Sequence, residues 1–465
     1  MIGVLPILRR LPNVGRVVFL ALFLPAAAIT QETHWASPLT LQQAVSIALE
    51  KNPQRKAALA DTKAATANVQ EARSFLLPHV MFSETGTRGN DPIYVFGSKL
   101  RQQRFTTADF ALNVLNTPTP LNNFSTRFGG TWNLFDSFAS WRTVARAERG
   151  KEAATHQLER ADQEIVFGVV NSYYGVLLAK KDLEVAEQTM KTAEAILERS
   201  KSRFESGVAV ESDLLNAQVR LAARKQELIR AQNNVSLGRA ELAKAMGIST
   251  EIALEPIESL AERALPTTPV EQLEKQAMEM RPDLKSIRSE EAAQRQSVAI
   301  AKSSFGPRVN AFADWEADNP TFASGGGGNN WIAGFEVQLD LFQGGAKRAE
   351  LQRQRALQDK VAALKDAASD AIRLEVRRAY YDLDAARQQV EVSKAAIAQA
   401  QESLRITQNR YESGFAPITD LLSAEEAASR TQADYWQALY RYHTGYVNVE
   451  LAAGTLNAQS PVVMP

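Results

Sequence analysis

Residues Arg203 to Asn216 read RFESGVAVESDLLN and residues Arg410 to Ser423 read RYESGFAPITDLLS, with eight of fourteen positions identical at a constant shift of 207. Leu134-Phe135 and Leu341-Phe342 keep that shift, as do Tyr173-Tyr174 and Tyr380-Tyr381. The chain is an internal duplication, so it must build one body from two related halves. Upstream the shift becomes 229, from Pro53 to Pro282 and from Pro78 to Pro307, which leaves the first half with 22 extra residues between Pro78 and Leu134.

The N-terminus carries Arg9, Arg10 and Arg16, then an apolar run from Val17 to Pro25, then Ala26-Ala27-Ala28. That order fits an export signal, with cleavage expected after Ala28, better than a buried N-terminal helix. No cysteine is present, so an exported chain of this size must be stable without disulfides, and with no acyl acceptor its membrane attachment is expected to come from the fold. With 53 basic and 53 acidic residues there is no net field to favour nucleic acid, and no basic cluster is interleaved with aromatics. No later segment approaches the roughly 18 consecutive apolar residues of a spanning helix, so a membrane part would have to be a β-barrel.

Ala346 to Ser413 contains neither Gly nor Pro and is rich in helix-favouring residues. A helix over that run would be roughly 100 Å long. The matching run from Phe138 to Ser206 has no Pro. Leu183, Ala186, Met190, Ala193, Leu197, Ser200 and Phe204 recur at spacings of three and four, and Val390, Ser393, Ile397, Ala400, Leu404, Thr407 and Tyr411 repeat them: a coiled-coil seam, twice. Shorter helices are expected over 39–74, 210–246, 270–303 and 418–453, two stacked end to end against each long one, with a waist where they meet. Gly207 and Gly414 would cap the far tips in the left-handed conformation.

Between the helices, period-two alternation sets Trp331, Ala333, Phe335, Val337, Leu339 and Leu341 against Ile332, Gly334, Glu336, Gln338 and Asp340. Phe124, Thr126, Phe128, Gly130, Trp132 and Leu134 alternate likewise, as do Val309, Ala311, Ala313 and Trp315; the run after Pro78 alternates less cleanly. Strands of about ten residues, apolar on one face and polar on the other, suit a barrel with lipid outside and water inside, although one such strand alone also fits a sheet packed on a soluble core. Four strands are too few, since outer-membrane barrels start at about eight, so the chain must oligomerise. Three protomers lending four strands each would give twelve and leave a water-filled lumen.

These features together resemble the outer membrane efflux protein family, the TolC-like channels. The match rests on the duplicated R-[FY]-E-S-G, the D-L-L-[NS]-A after each tip, Asn133-Leu134-Phe135 and Asp340-Leu341-Phe342 before the long helices, and Leu451 to Leu456 near the C-terminus. The resemblance implies a mainly α fold with a membrane β part: a long periplasmic α-helical barrel joined to a trimeric twelve-stranded β-barrel in outer-membrane lipid. It implies a passive exit duct for efflux or type I secretion, working as a homotrimer with a periplasmic adaptor (membrane fusion) protein and an inner-membrane pump, without cofactor. The tips, Arg203, Glu205, Ser206 and Gly207 with Arg410, Glu412, Ser413 and Gly414, would dock the adaptor. Asp213 and Asp420, with Tyr411, would line a lumen constriction, although each Asp also complements the dipole of a helix's first turn. Well-known members have an arginine near Ala416 and an aspartate at Ser423, with Asn216 at the matching site of the first copy, so this entrance is expected to be held differently.

The expected organisation is a signal over 1–28, a first repeat over 29–246 with a longer outer loop near 91–123, a connector over 247–269, a second repeat over 270–456 and a tail over 457–465. The insertion reads as an extracellular loop that covers or narrows the mouth rather than a ligand site. No catalytic constellation is found: His34, His79, His156 and His443 are scattered without metal-ligand spacing, and the glycines Gly325 to Gly328 lack the Gly-Lys-Ser of a phosphate loop. An enzyme is not expected. The competing class is a periplasmic coiled-coil structural or adaptor protein, which would have one helical hairpin where this chain has two.

Overall fold

The structure, a computed structural model, describes residues 38–252, 254–266, 268–322 and 328–464. The expected signal, its cleavage site and Gly325 to Gly327 lie outside the described residues. The order is α1 (Leu41–Lys51), α2 (Pro53–Ser74), β1 (His79–Gly89), α3 (Pro92–Arg101), α4 (Leu112–Asn116), β2 (Leu121–Phe135), α5 (Ala139–Glu205), α6 (Glu211–Met246), α7 (Val270–Met280), α8 (Pro282–Ser303), β3 (Arg308–Asn319), β4 (Gly328–Gln338), α9 (Ala346–Glu412) and α10 (Ile418–Ala453). The two long helices each have 67 residues, and α6 and α10 each have 36. Both pairs obey the shift of 207, whereas α1 and α2 map onto α7 and α8 at 229.

Each of the helices expected over 39–74 and 270–303 is two helices. The breaks fall at Asn52 and Arg281, both extended in ψ, each directly before a proline. Proline clashes with a helical residue before it, and its fixed φ then suits the first position of the next helix. At these breaks the stacked short helices meet. Gly247 and Gly454, which close α6 and α10 with φ near +71° and +73°, leave no room for a side chain: a Cβ would lie 2.6 Å from Asn52 Cα and 2.8 Å from Arg281 Cα. Asn52 Nδ2 donates to the Ala245 carbonyl at 2.9 Å, and Arg281 Nη1 donates to the Ala452 carbonyl at 3.3 Å.

The seam of α9 holds as read, with Val390 and Tyr411 buried and the residues between them half-buried. The seam of α5 is broader, since Val185, Thr189 and Ile196 are buried beside Ala186, Ala193 and Ser200, while Phe204 is exposed. The reason is that α5 packs on both α6 and α10.

The four strands form one antiparallel sheet in the order β1-β2-β3-β4. Pairing places Phe82, Phe128, Trp315 and Trp331 in one row and Val80, Gly130, Ala313 and Ala333 in the next, so one face is apolar across all four strands. Much of it is exposed in the protomer: Trp331 at 79% and Phe335 at 73%. The other face carries Arg127 with Asp314, and Ser125 with Glu316. β1 alternates poorly because Glu84 stands on the apolar face, where it accepts from the Thr126 hydroxyl of the adjacent strand. β4 ends at Gln338, short of the expected Leu341. The expected long outer loop is instead a folded insert containing α3, a 3₁₀ turn over Thr107–Phe110, and α4.

Candidate functional site

The two Gly tips close the α5–α6 and α9–α10 hairpins, and the glycine geometry follows from the sequence. Gly207 and Gly414 have φ of +71° and +79°, where an L side chain is strained. Val208 N donates to the Arg203 carbonyl at 2.9 Å and Phe415 N to the Arg410 carbonyl at 2.8 Å, satisfying carbonyls that a helix end otherwise leaves open.

Four helices share a small core just inside the tips: Ile196 of α5, Ala217 of α6, Tyr411 of α9, and Ile418 and Leu421 of α10. Tyr411 is its polar member. Its hydroxyl lies 3.3 Å from Ser200 Oγ, its ring lies under the Arg203 guanidinium at 5.0 Å, and its carbonyl accepts from Arg203 Nη1 at 3.0 Å. Arg199 reaches Glu412 at 2.5 Å. Of the residues read from the sequence, the fold therefore joins the tip residues Arg203 and Glu412 with Tyr411, expected at the constriction, within one protomer. Glu205, Ser206, Gly207, Arg410, Ser413 and Gly414 are exposed.

Asp213 and Asp420 sit in the first turns of α6 and α10, where a carboxylate complements the helix dipole. Neither makes a side-chain hydrogen bond or ion pair among the described residues, and Asp420 is exposed.

A second network, absent from the sequence reading, lies deeper. Arg220 and Arg224, one turn apart on α6, meet Glu425 and Glu426 of α10. Arg224 and Glu425 are buried, 3.0 Å apart, and Arg224 also donates to Glu227 at 2.6 Å. Burial disfavours the Arg224 charge, but Glu227 and Glu425 outweigh it and raise its pKa. Burial likewise acts to raise Glu426, but Arg220 and then Arg224 hold it below the usual carboxylate range. The duplicate positions at the shift of 207 are Ala427, Thr431, Gln218 and Val219, so the network interrupts the repeat. That mismatch was the available signal.

A sheet with one apolar and one polar face, its strands running into paired helices of 67 residues, roughly 100 Å long, fits an outer-membrane channel with a periplasmic helical part. Residues 44–248 and 273–455 match the outer membrane efflux protein family, and the chain belongs to it. It is 23% identical over 437 residues to outer membrane protein TolC of Escherichia coli (strain K12), covering 90% of this chain and 83% of that one. It is 23% identical over 434 residues to the alkaline protease secretion protein AprF of Pseudomonas aeruginosa, covering 91% and 86%. The CmeC outer membrane channel of Campylobacter jejuni superposes with a TM-score of 0.77 at 18% identity, covering 91% of this chain and 87% of that one. The protein is thus an outer-membrane exit duct of the efflux and type I secretion class. Among the described residues no helix is long and apolar enough to cross a membrane.

Proposed function

We propose that three copies close the sheet edges β1 and β4 into a twelve-stranded barrel, and that the tips form its periplasmic entrance. The observation that carries this is the four-stranded sheet itself, with an apolar face exposed over its whole width and two unpaired edges, an arrangement that is stable in lipid only when closed. Threefold symmetry then turns Asp213 and Asp420 each into a ring of carboxylates, which concentrates cations at the entrance and resists closure unless cations or protons offset the repulsion. Tyr411, with Arg203 and Ser200, ties the two hairpins of a protomer together beside those rings. The ion pairs of Arg220 and Arg224 with Glu425 and Glu426 serve as the tie where Ala416 and Ser423 leave none.

The exposed tip residues Glu205, Ser206, Gly207, Arg410, Ser413 and Gly414, with Arg203 and Glu412 at their base, are the surface offered to a periplasmic adaptor, with an inner-membrane pump supplying the energy. The duct itself has no catalytic role. The test is the mass and single-channel conductance of protein extracted from outer membranes in mild detergent. A trimer whose cation preference falls in Asp213→Asn and Asp420→Asn is the expected result. A monomer without conductance would point to the coiled-coil scaffold instead, and a trimer with unchanged selectivity would remove the carboxylate rings alone.

A further inference from the structure

The insert between β1 and β2 is a folded unit with its own apolar nucleus. Phe105 packs edge-on against Phe96 at 4.8 Å and against Phe110 at 5.1 Å, Val95 is buried, and Lys99 is paired with Asp109 at 2.6 Å. Asp91 caps α3 by accepting from Tyr94 N, and the Tyr94 hydroxyl donates to the Thr87 carbonyl, so the helix is anchored to the hairpin at its N-terminus.

The C-terminus of α3 lies over the polar face of the sheet. Gln102, 2% exposed, donates through Nε2 to the Asn122 carbonyl at 2.9 Å and to Asn123 Oδ1 at 2.8 Å, and Asn123 Nδ2 passes the chain on to Asp318 Oδ1 at 2.6 Å. Arg101 reaches the Glu316 carboxylate at 3.3 Å, and its carbonyl accepts from Asn330 Nδ2 at 3.3 Å. Asn123, Glu316, Asp318 and Asn330 all stand on the polar face by register. Asp318 is fully buried, on the face that also carries Ser125, Arg127, Asp314 and Glu316.

Two backbone features fit the contact. Gln103 adopts φ +54°, a left-handed conformation uncommon for a side chain of its size, to turn the chain off the end of α3. Gly328 leaves the space that the insert fills: a Cβ there would lie 1.7 Å from the Arg101 carbonyl oxygen. A strained turn over a glycine-made seat is held only where surrounding contacts over-determine it.

The helices join the opposite ends of the strands, so this insert sits at the outer end, and the polar face it covers is the one turned to water in a barrel. The geometry points to an inward-folded cap that narrows the outer mouth and sets the size of solute the duct passes, with Gly328, Gln102 and Arg101 as the residues that seat it. This rests on the polar face being the lumen. The duct would then have a second constriction, independent of the periplasmic tips.

The chain's lack of cysteine makes the test clean. Thr131, exposed on the polar face below the cap, is changed to Cys in the full-length protein, and intact cells are treated from outside with a small maleimide and with a bulky polymer-linked one. In the parent background the small reagent labels and the bulky one is excluded. Adding Gly328→Val, or Arg101→Ala with Gln102→Ala, raises bulky labelling several-fold while small-reagent labelling changes little. Outer-membrane yield of both variants verifies folding. Bulky labelling that is already fast in the parent, or that stays excluded in both folded variants, overturns the cap. If even the small reagent fails in every background, the polar face is not the lumen, and the barrel reading falls with it.

Discussion

Helices α5 and α9 have equal length and begin and end at equivalent residues, yet α5 buries eighteen residues and α9 only six. Tyr173 is fully buried, with its hydroxyl on the Leu39 carbonyl at 2.8 Å, while its duplicate Tyr380 is half-buried; Tyr174 is buried and its duplicate Tyr381 is 59% exposed. Duplication has kept the path of the chain and changed what surrounds it. The first long helix is enclosed by its own protomer, through α2, α6, α8 and α10, whereas α9 leaves Leu364, Leu374, Val392 and Ile406 exposed. The proposed closure into a trimer would cover these side chains, which the protomer alone leaves in solvent.

The sharpest way to break this comparison is at the waist, where Asn52 and Arg281 do the same positional work with different chemistry. Arg281 is buried against Asp283 at 2.6 Å and Glu375 at 2.7 Å. Burial alone would raise Asp283, but the Arg281 hydrogen bonds and charge outweigh it and hold it low. Arg281→Ala removes charged hydrogen bonds to two partly exposed carboxylates and the bond to the Ala452 carbonyl, and is expected to cost about 2–3 kcal/mol. Asn52→Ala loses one bond to the Ala245 carbonyl and the cap on Gln54 N, about 1–2 kcal/mol. Thermal inactivation rates of the two variants should differ in that order; equal rates would mean the two halves are energetically alike at the waist.

The next effect concerns the tips. Glu425→Ala leaves Arg224 buried with only Glu227 and Glu426, a loss of about 2–3 kcal/mol from charged hydrogen bonds, and should loosen α10 from α6 and raise conductance. Gln218→Ala, its exposed counterpart in the first half, should leave conductance at the parent level. Smaller still are the glycines. Gly207→Ala and Gly414→Ala should each cost about 1–2 kcal/mol for a left-handed backbone, equally, because nothing lies within 4 Å of either added Cβ. Gly247→Ala and Gly454→Ala should melt lower than either, because there the added methyl strikes backbone.

How much of this was legible follows from what each feature depends on. The lengths of α5, α9, α6 and α10 were readable because they are set by local rules: absence of Pro, a left-handed Gly, and a repeat that sets the register. The strand faces were readable from alternation, except at β1, where Glu84 breaks the pattern. The breaks at Asn52 and Arg281 are written as X-Pro, a local boundary signal that the expected helices over 39–74 and 270–303 run straight through. The broad seam of α5 and the Arg220, Arg224, Glu425 and Glu426 network depend on which helices become neighbours, and only the places where the two copies disagree hinted at them. The seat of the insert depends on a contact from Arg101 to Gly328 across more than two hundred residues, which no local pattern encodes.

The smallest predicted difference is one of pH, and it again separates the halves. Glu450 of α10 is half-buried with one carboxylate oxygen unpartnered, and desolvation raises its pKa to about 6. Its duplicate at the shift of 207 is Ala243, fully buried and without charge. A carboxyl whose folded pKa is raised binds its proton more tightly in the native state, so it favours folding below its ordinary value and loses that contribution as pH rises from about 4.5 through about 6. The native protein should therefore melt slightly lower at pH 7 than at pH 5 on account of this group, by about 1 kcal/mol once partial solvent contact is allowed for. Glu450→Gln keeps the shape, removes the charge and should flatten that part of the profile while raising stability at pH 7. A substitution at Ala243 offers no titrating group and should leave the slope between pH 5 and pH 7 as it is in the parent. If the Gln variant keeps the parent's slope, the pH response belongs to groups shared by the two halves, and the asymmetry at this end of α10 is one of packing alone.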